Sequence, residues 1–186
     1  MRTSRVWRSA VGMAGAVVLS VVPAFAQNAA LALGTARGQL IVDGKPLALK
    51  YAIALSVPDT FEETQEAFMV LLTPAPVTAE ALTTLAGPDD ARGPVKEGLA
   101  LKYGVGGAFH MTIRHPALKG ELQSSGGLPK PPDVRGPDHV AGTVASWPDG
   151  KVEDIAGHKV QFSIAFDAPV KRRFEVVRPK DAKDVK

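Results

Sequence analysis

The chain has 186 residues, with 22 Lys and Arg, 19 Asp and Glu, four His and no cysteine. This length fits one domain with a hydrophobic core, and the absence of cysteine excludes disulfides, thiolate chemistry and a lipid anchor on cysteine. The net charge is +3 for the whole chain and zero without the three arginines of residues 1–26, so the mature protein would attract nucleic acid little, and we do not expect nucleic acid as a partner.

Residues 1–26 have the three parts of a bacterial secretion signal. Three arginines form a positive start, residues 10–22 form an apolar run, and residues 24–26 supply a small-residue cleavage site. The run is shorter than the roughly 20 residues that a membrane-spanning helix needs. We therefore expect cleavage after residue 26, export to the periplasm or the extracellular space, and no transmembrane segment in the mature protein. An envelope-anchored adaptor with an uncleaved N-terminus is the alternative.

Cleavage makes the protein neutral. Removal of the three signal arginines leaves as many Lys and Arg as Asp and Glu, 19 of each. Basic residues then concentrate at the C-terminus. We expect a lead-in at residues 27–33, a β domain at 34–170 and a basic, disordered tail at 171–186.

The first predicted hairpin occupies residues 38–57. Residues 47–57 alternate large apolar side chains with small or polar ones, which is typical of a strand with one buried face. Asp43-Gly44 suits a two-residue turn. This turn places Tyr51 in the core and implies pairs of Val42 with Lys45, Ile41 with Pro46, Leu40 with Leu47, Gly38 with Leu49, and Ala36 with Tyr51.

The next segment predicts a strand with a helical cover. Residues 59–66 are acidic and indicate a solvated loop, whereas residues 68–73 are apolar on both faces. A strand buried on both faces needs a cover on its outer side. Thr78 is a suitable N-cap for a short helix near 79–86.

A second hairpin follows at residues 99–114. Only a three-residue turn pairs Tyr103 with Phe109, and it also pairs Leu101 with Met111 and Leu99 with Ile113. The Pro- and Gly-rich residues 116–138 predict a long surface loop. Strands resume at 139–147 and 160–168, and Pro169 ends the last one, whose inward residues are Val160, Phe162, Ile164, Phe166 and Ala168.

About seven short strands with hairpin turns define the predicted fold class. We expect an all-β fold, an antiparallel β-sandwich of immunoglobulin-like type, with the one short helix near 79–86. A β-barrel is the alternative. No alternation of strands and long helices is present, which excludes doubly wound folds.

Histidines are the candidate metal ligands. His110 and His115 are an odd number of residues apart on one strand, so they face opposite sides of the sheet. The alternative to our main interpretation is a metal carrier or enzyme that uses His115, His139 and His158 with nearby acids. Nothing in their spacing requires these three to meet, so we predict no native metal and no cofactor.

Other candidate chemistry has simpler structural interpretations. Asp59, Glu62, Glu63 and Glu66 lack the ligand spacing of a calcium-binding loop. Residues 124–127 predict a flexible serine- and glycine-rich loop, and the sequence has no nucleophile motif and no phosphate-binding glycine loop before a helix. We therefore expect no catalytic residues and a protein that is not an enzyme.

Four segments resemble a pattern of small exported bacterial proteins that form an uncharacterised family. They are Gly38 to Lys45, Tyr51 to Ala54, Val70 to Pro74, and Phe166 to Ala168. The resemblance spans about residues 34–168 and implies export and a β domain, with no catalytic residues to assign. The expected function is binding of a protein or an envelope component by an exported, non-enzymatic β domain.

Overall fold

The computed structural model describes residues 31–105, 108–127, 131–146 and 149–176. The predicted signal, part of the lead-in and residues 177–186 of the tail lie outside these ranges. A helix, α1, occupies Ala79–Thr83, and a 3-10 helix occupies Pro88–Arg92. The strands in the described residues are β1 (Thr35–Val42), β2 (Lys45–Pro58), β3 (Glu66–Thr73), β4 (Gly98–Tyr103), β5 (Ala108–Arg114), β6 (Glu121–Gly127), β7 (Val134–Arg135), β8 (His139–Ala145), β9 (Glu153–Ile155) and β10 (His158–Arg173).

All ten of these strands belong to one sheet, in the order β6-β5-β4-β3-β2-β1-β10-β8-β7, with β9 also paired to β10. The pairings are antiparallel except where the end of β10 runs parallel to the end of β2. The prediction of a mostly antiparallel β fold with little helix is confirmed. The immunoglobulin-like sandwich is not confirmed, and the sheet is open rather than a barrel. Strand β1 pairs with β2 on one side and with β10 on the other, so the strands form one continuous sheet.

The sheet curls strongly, so that its inner face packs against itself. Tyr103 in β4 and Phe166 in β10 are separated by three intervening strands, yet their ring centroids are 6.5 Å apart. A flat sheet would place their backbones about 19 Å apart. At the edge strand β7, Arg135 donates hydrogen bonds to the carbonyls of Tyr103 (3.2 Å) and Gly104 (3.3 Å). These bonds link β7 to the end of β4.

The β1–β2 hairpin confirms the predicted pairing up to Gly38 and Leu49. Beyond that point the prediction is wrong, because Thr35, and not Ala36, pairs with Tyr51. The shift leaves one extra residue of β1 opposite β2. The side chains of β2 that follow Leu49 therefore exchange faces of the sheet. Tyr51 is therefore 38% exposed rather than in the core, and Ala52 is buried.

The buried apolar side chains form two clusters, one on each face of the sheet. The inner cluster lies within the curl and contains Tyr103, Phe162 and Phe166, together with the other predicted inward residues of β10. The outer cluster lies beneath the two helices, on the opposite face of β2, β3 and β4. Its buried members are Leu55, Val57, Ala67, Leu71, Leu82, Leu85, Ala91, Val95 and Ala100.

The predicted helical cover over the third strand is confirmed. Thr78 caps α1 by accepting a hydrogen bond from the Ala81 backbone N–H at 3.2 Å. The helix ends at Thr83, earlier than expected. The guanidinium of Arg172 then donates hydrogen bonds to the carbonyls of Leu82 and, at 3.0 Å, Leu85, which satisfies acceptors at the helix end and fastens it to β10.

The predicted β4–β5 pairing of Tyr103 with Phe109 is confirmed. Two differences from the predicted fold lie further along the chain. The loop predicted over 116–138 contains β6 and β7, because pairing with β5 and β8 outweighs the weak strand preference of Ser and Gly. Pro169 does not end β10, which continues to Arg173. The last pair between β10 and β1 is at Asp167, so the missing N–H of Pro169 costs no bond to β1.

Candidate functional site

The three histidines of the metal alternative are not brought together. His158 lies beside the β1–β2 turn, where its Nδ1 is 2.7 Å from Asp43 Oδ2. His115 lies near the same turn, but its Nδ1 already accepts a hydrogen bond from the Ala117 N–H at 3.0 Å. Burial lowers the pKa of His115, with Glu97 opposing the effect. His139 pairs with Pro169, which lies roughly 36 Å along β10 from His158. The described residues contain no group of three or more His, Asp or Glu that could hold a metal.

The Asp43–His158 contact predicts a pH-dependent stability. Hydrogen bonds from His158 and from the Lys159 N–H hold the pKa of Asp43 below its usual value of 3.8. A carboxyl whose pKa is lowered on folding stabilises the protein above its unfolded-state pKa, and this contribution disappears as the pH falls through the folded-state pKa. We expect Asp43→Asn to lower the thermal midpoint at pH 6 and to have a progressively smaller effect as the pH is lowered toward 2.5.

The control for this prediction is Asp149→Asn. Asp149 also has a positive φ (53°, against 50° for Asp43), and its side chain makes no hydrogen bond within the described ranges. It should therefore show no such pH-dependent difference from the wild type. An equal loss at pH 6 and pH 2.5 for Asp43→Asn would contradict the assignment.

Two of the acidic residues at 59–66, Asp59 and Glu66, bind separate parts of the fold. Asp59 is buried rather than solvated. Its carboxylate accepts hydrogen bonds from the N–H groups of Phe61 (2.8 Å), Glu62 (3.2 Å) and Val105 (2.7 Å). Burial alone would raise the pKa of Asp59, but these hydrogen bonds outweigh it and lower the pKa. Glu66 accepts instead from Ser56 and from Arg173, the latter at 2.8 Å.

A polar cleft of about 300 Å³ lies on the outer face of β3 to β6, against the 3-10 helix. We call it the outer-face cleft. Cross-strand pairing aligns its side chains in rows, because Lys102 lies opposite His110, and His110 lies opposite Ser125. The polar residues that line it are Thr60, Asp89, Arg92, Lys102, His110, Thr112, Gln123, Ser124 and Ser125.

Hydrogen-bond donors dominate the outer-face cleft. Within the described ranges, the side chains of Lys102, Thr112 and Ser125 make no hydrogen bond or ion pair. Burial lowers the pKa of Lys102, and the carboxylates of Asp59 and Asp89 only partly oppose this effect. Arg92 adds a second cation, and Asp89 is the one carboxylate among the lining residues. The cleft therefore offers side-chain donors that no other side chain in the described ranges occupies to a ligand that carries acceptors.

This cleft was not predicted from the sequence. The alternation of residues 99–114 places Lys102, His110 and Thr112 on the outward face, which is a usable signal. The other two walls were not predicted, because Ser125 was assigned to a flexible loop and no helix was predicted at residues 88–92. Only the pairing of β6 with β5 and the position of the 3-10 helix close the cleft.

The described residues thus form a curled, open and mostly antiparallel β-sheet with a polar cleft on its outer face. No family model, curated protein or solved structure matches the chain. In the described part of the chain, no helix has the length and apolar character needed to cross a membrane.

Proposed function

We propose that the protein is an exported, non-enzymatic binding protein whose outer-face cleft takes a small molecule, or an envelope component, that carries an oxyanion such as phosphate or carboxylate. One observation carries the proposal: unpartnered donors of Lys102, Thr112 and Ser125 line one cleft on neighbouring strands. Asp59 and Asp89 compensate the half-buried ammonium of Lys102 only in part, and an oxyanion would complete this compensation with charge-assisted hydrogen bonds.

Export rests on the N-terminal sequence, with its arginines, apolar run and small residues before position 27. A mature protein of balanced charge fits this proposal, because its selectivity for an anion must come from local donors rather than from a general positive field. The periplasm or the extracellular space would be its location.

The absence of a linked nucleophile and base supports a binding role rather than catalysis. Ser125 and His110 lie opposite each other on paired strands, but no hydrogen bond joins them among the described residues. A serine nucleophile is activated when a base lies within hydrogen-bond reach and is itself oriented by a third group. The His110 ring is instead stacked on Phe61.

The test is a calorimetric titration of the full chain with inorganic phosphate at low ionic strength. We expect Lys102→Met to weaken binding by about tenfold or more, since one charge-assisted hydrogen bond is worth about 1.5–3 kcal/mol. The same change should leave the thermal midpoint unchanged or raised, because burial disfavours the charge of Lys102 more than Asp59 and Asp89 favour it.

Lys50→Met is the matched control, since Lys50 is exposed on β2 outside the cleft and its loss should not change phosphate affinity. Equal weakening in both variants, or no binding of phosphate, sulfate or acetate by the wild type, would contradict the proposal. Turnover of a phosphate or carboxylate ester that Lys102→Met or His110→Ala abolishes would contradict the non-enzymatic part.

A further inference from the structure

Phe61 is the most exposed of the large hydrophobic residues in the described ranges, at 73%. Its ring nevertheless has a defined position beside the outer-face cleft. It stacks on the ring of His110, with centroids 6.1 Å apart and an interplanar angle of 28°. His110 in turn lines the cleft next to Lys102. An aromatic surface therefore adjoins the donor-rich part of the cleft.

The fold holds this aromatic surface in place. The Phe61 N–H donates to Asp59 Oδ1 at 2.8 Å, and the Val105 N–H donates to Asp59 Oδ2 at 2.7 Å. One buried carboxylate thus ties the loop that carries Phe61 to the segment that follows β4. Val105 is itself 40% exposed, so two exposed apolar side chains are fastened at the same corner of the sheet.

We propose that the ligand of the outer-face cleft is a flat ring bearing an oxyanion, with the ring against Phe61 and His110 and the oxyanion at Lys102. This inference rests on the proposed function and specifies its ligand class. A ring that stacks on an aromatic surface gains both apolar burial and ring–ring attraction. The neighbouring register positions of Lys102 and His110 place the two binding elements about 5 Å apart at their Cβ atoms, which suits a ring with its oxyanion attached directly.

The test compares three probes by calorimetry: inorganic phosphate, phenyl phosphate and butyl phosphate. For the wild type we expect phenyl phosphate to bind about tenfold more tightly than inorganic phosphate, and butyl phosphate to gain much less. Phe61→Ala should reduce the ratio of phenyl phosphate to phosphate affinity to near one. Phe61→Leu, which keeps an apolar side chain without a ring, should restore little of it. Leu33→Ala, at another exposed apolar residue, is the control and should keep the wild-type ratio.

The outcomes separate the two proposals. If phosphate binds and depends on Lys102, but phenyl phosphate has no advantage or butyl phosphate equals it, the ring specificity is wrong and the oxyanion site stands. If Phe61→Ala keeps the full advantage of phenyl phosphate, the aromatic surface is not the ring-binding element. If none of the three probes binds, both proposals fail.

Discussion

Replacement of Gly98 by alanine is expected to destabilise the protein by at least about 3 kcal/mol. Gly98 begins β4 with φ at +126°, a conformation that residues with a side chain rarely adopt. A Cβ at this position would overlap the carbonyl oxygen of Leu72 and lie 3.2 Å from the Cα of Thr73. Both obstacles are backbone atoms of the paired strand, so no side chain can move aside. Equilibrium urea unfolding measures the loss.

Gly120→Ala provides the matched comparison. Gly120 is exposed, has no positive φ, and has open space where a Cβ would be placed. We expect its stability to stay within about 0.5 kcal/mol of the wild type. Similar stability for Gly98→Ala and Gly120→Ala would mean that β4 does not approach β3 as closely as the structure has it.

Truncation of Phe166 is the second change with a large expected effect. Its ring is 2% exposed in the inner cluster and contacts Tyr103 across the curl of the sheet. Phe166→Ala should cost about 3–5 kcal/mol, because it removes a buried aromatic side chain and leaves a cavity that strands on both sides hold open. Urea unfolding with circular dichroism detection gives the free energy.

Phe61→Ala removes the same ring from an exposed position and should change the free energy of unfolding by less than about 0.5 kcal/mol. The difference between the two phenylalanine variants therefore isolates burial from side-chain chemistry. A small cost at Phe166 would contradict the packing of β4 against β10, and with it the curled sheet.

Local pattern was enough to predict the hairpins. The Asp43-Gly44 turn fixes the register of β1 and β2 near the turn, and the alternation on both sides of Val105 fixes that of β4 and β5. In each case two strands that are adjacent in sequence supply both the turn signal and the matching faces. The inward face of β10 was predicted from the alternation within that strand alone.

Features that depend on distant partners were missed. The bulge that turns Tyr51 outward arises where β1 lies between β2 and β10, which no local pattern reveals. Strand β6 is rich in Ser and Gly and forms because β5 offers it an edge. The outer-face cleft combines four strands with the 3-10 helix, so its donors are neighbours only after long-range pairing.

Amide chemical-shift mapping would show at which residues an oxyanion binds, and thus whether it occupies the outer-face cleft. The backbone amides of the folded chain would be followed by NMR during titration with inorganic phosphate, and again with Lys102→Met. We predict that the largest shifts fall at residues 100–102, 110–112 and 123–125, and that Lys102→Met greatly reduces them. Shifts centred on the β1–β2 turn or on another surface, or the same shifts in Lys102→Met, would contradict the account.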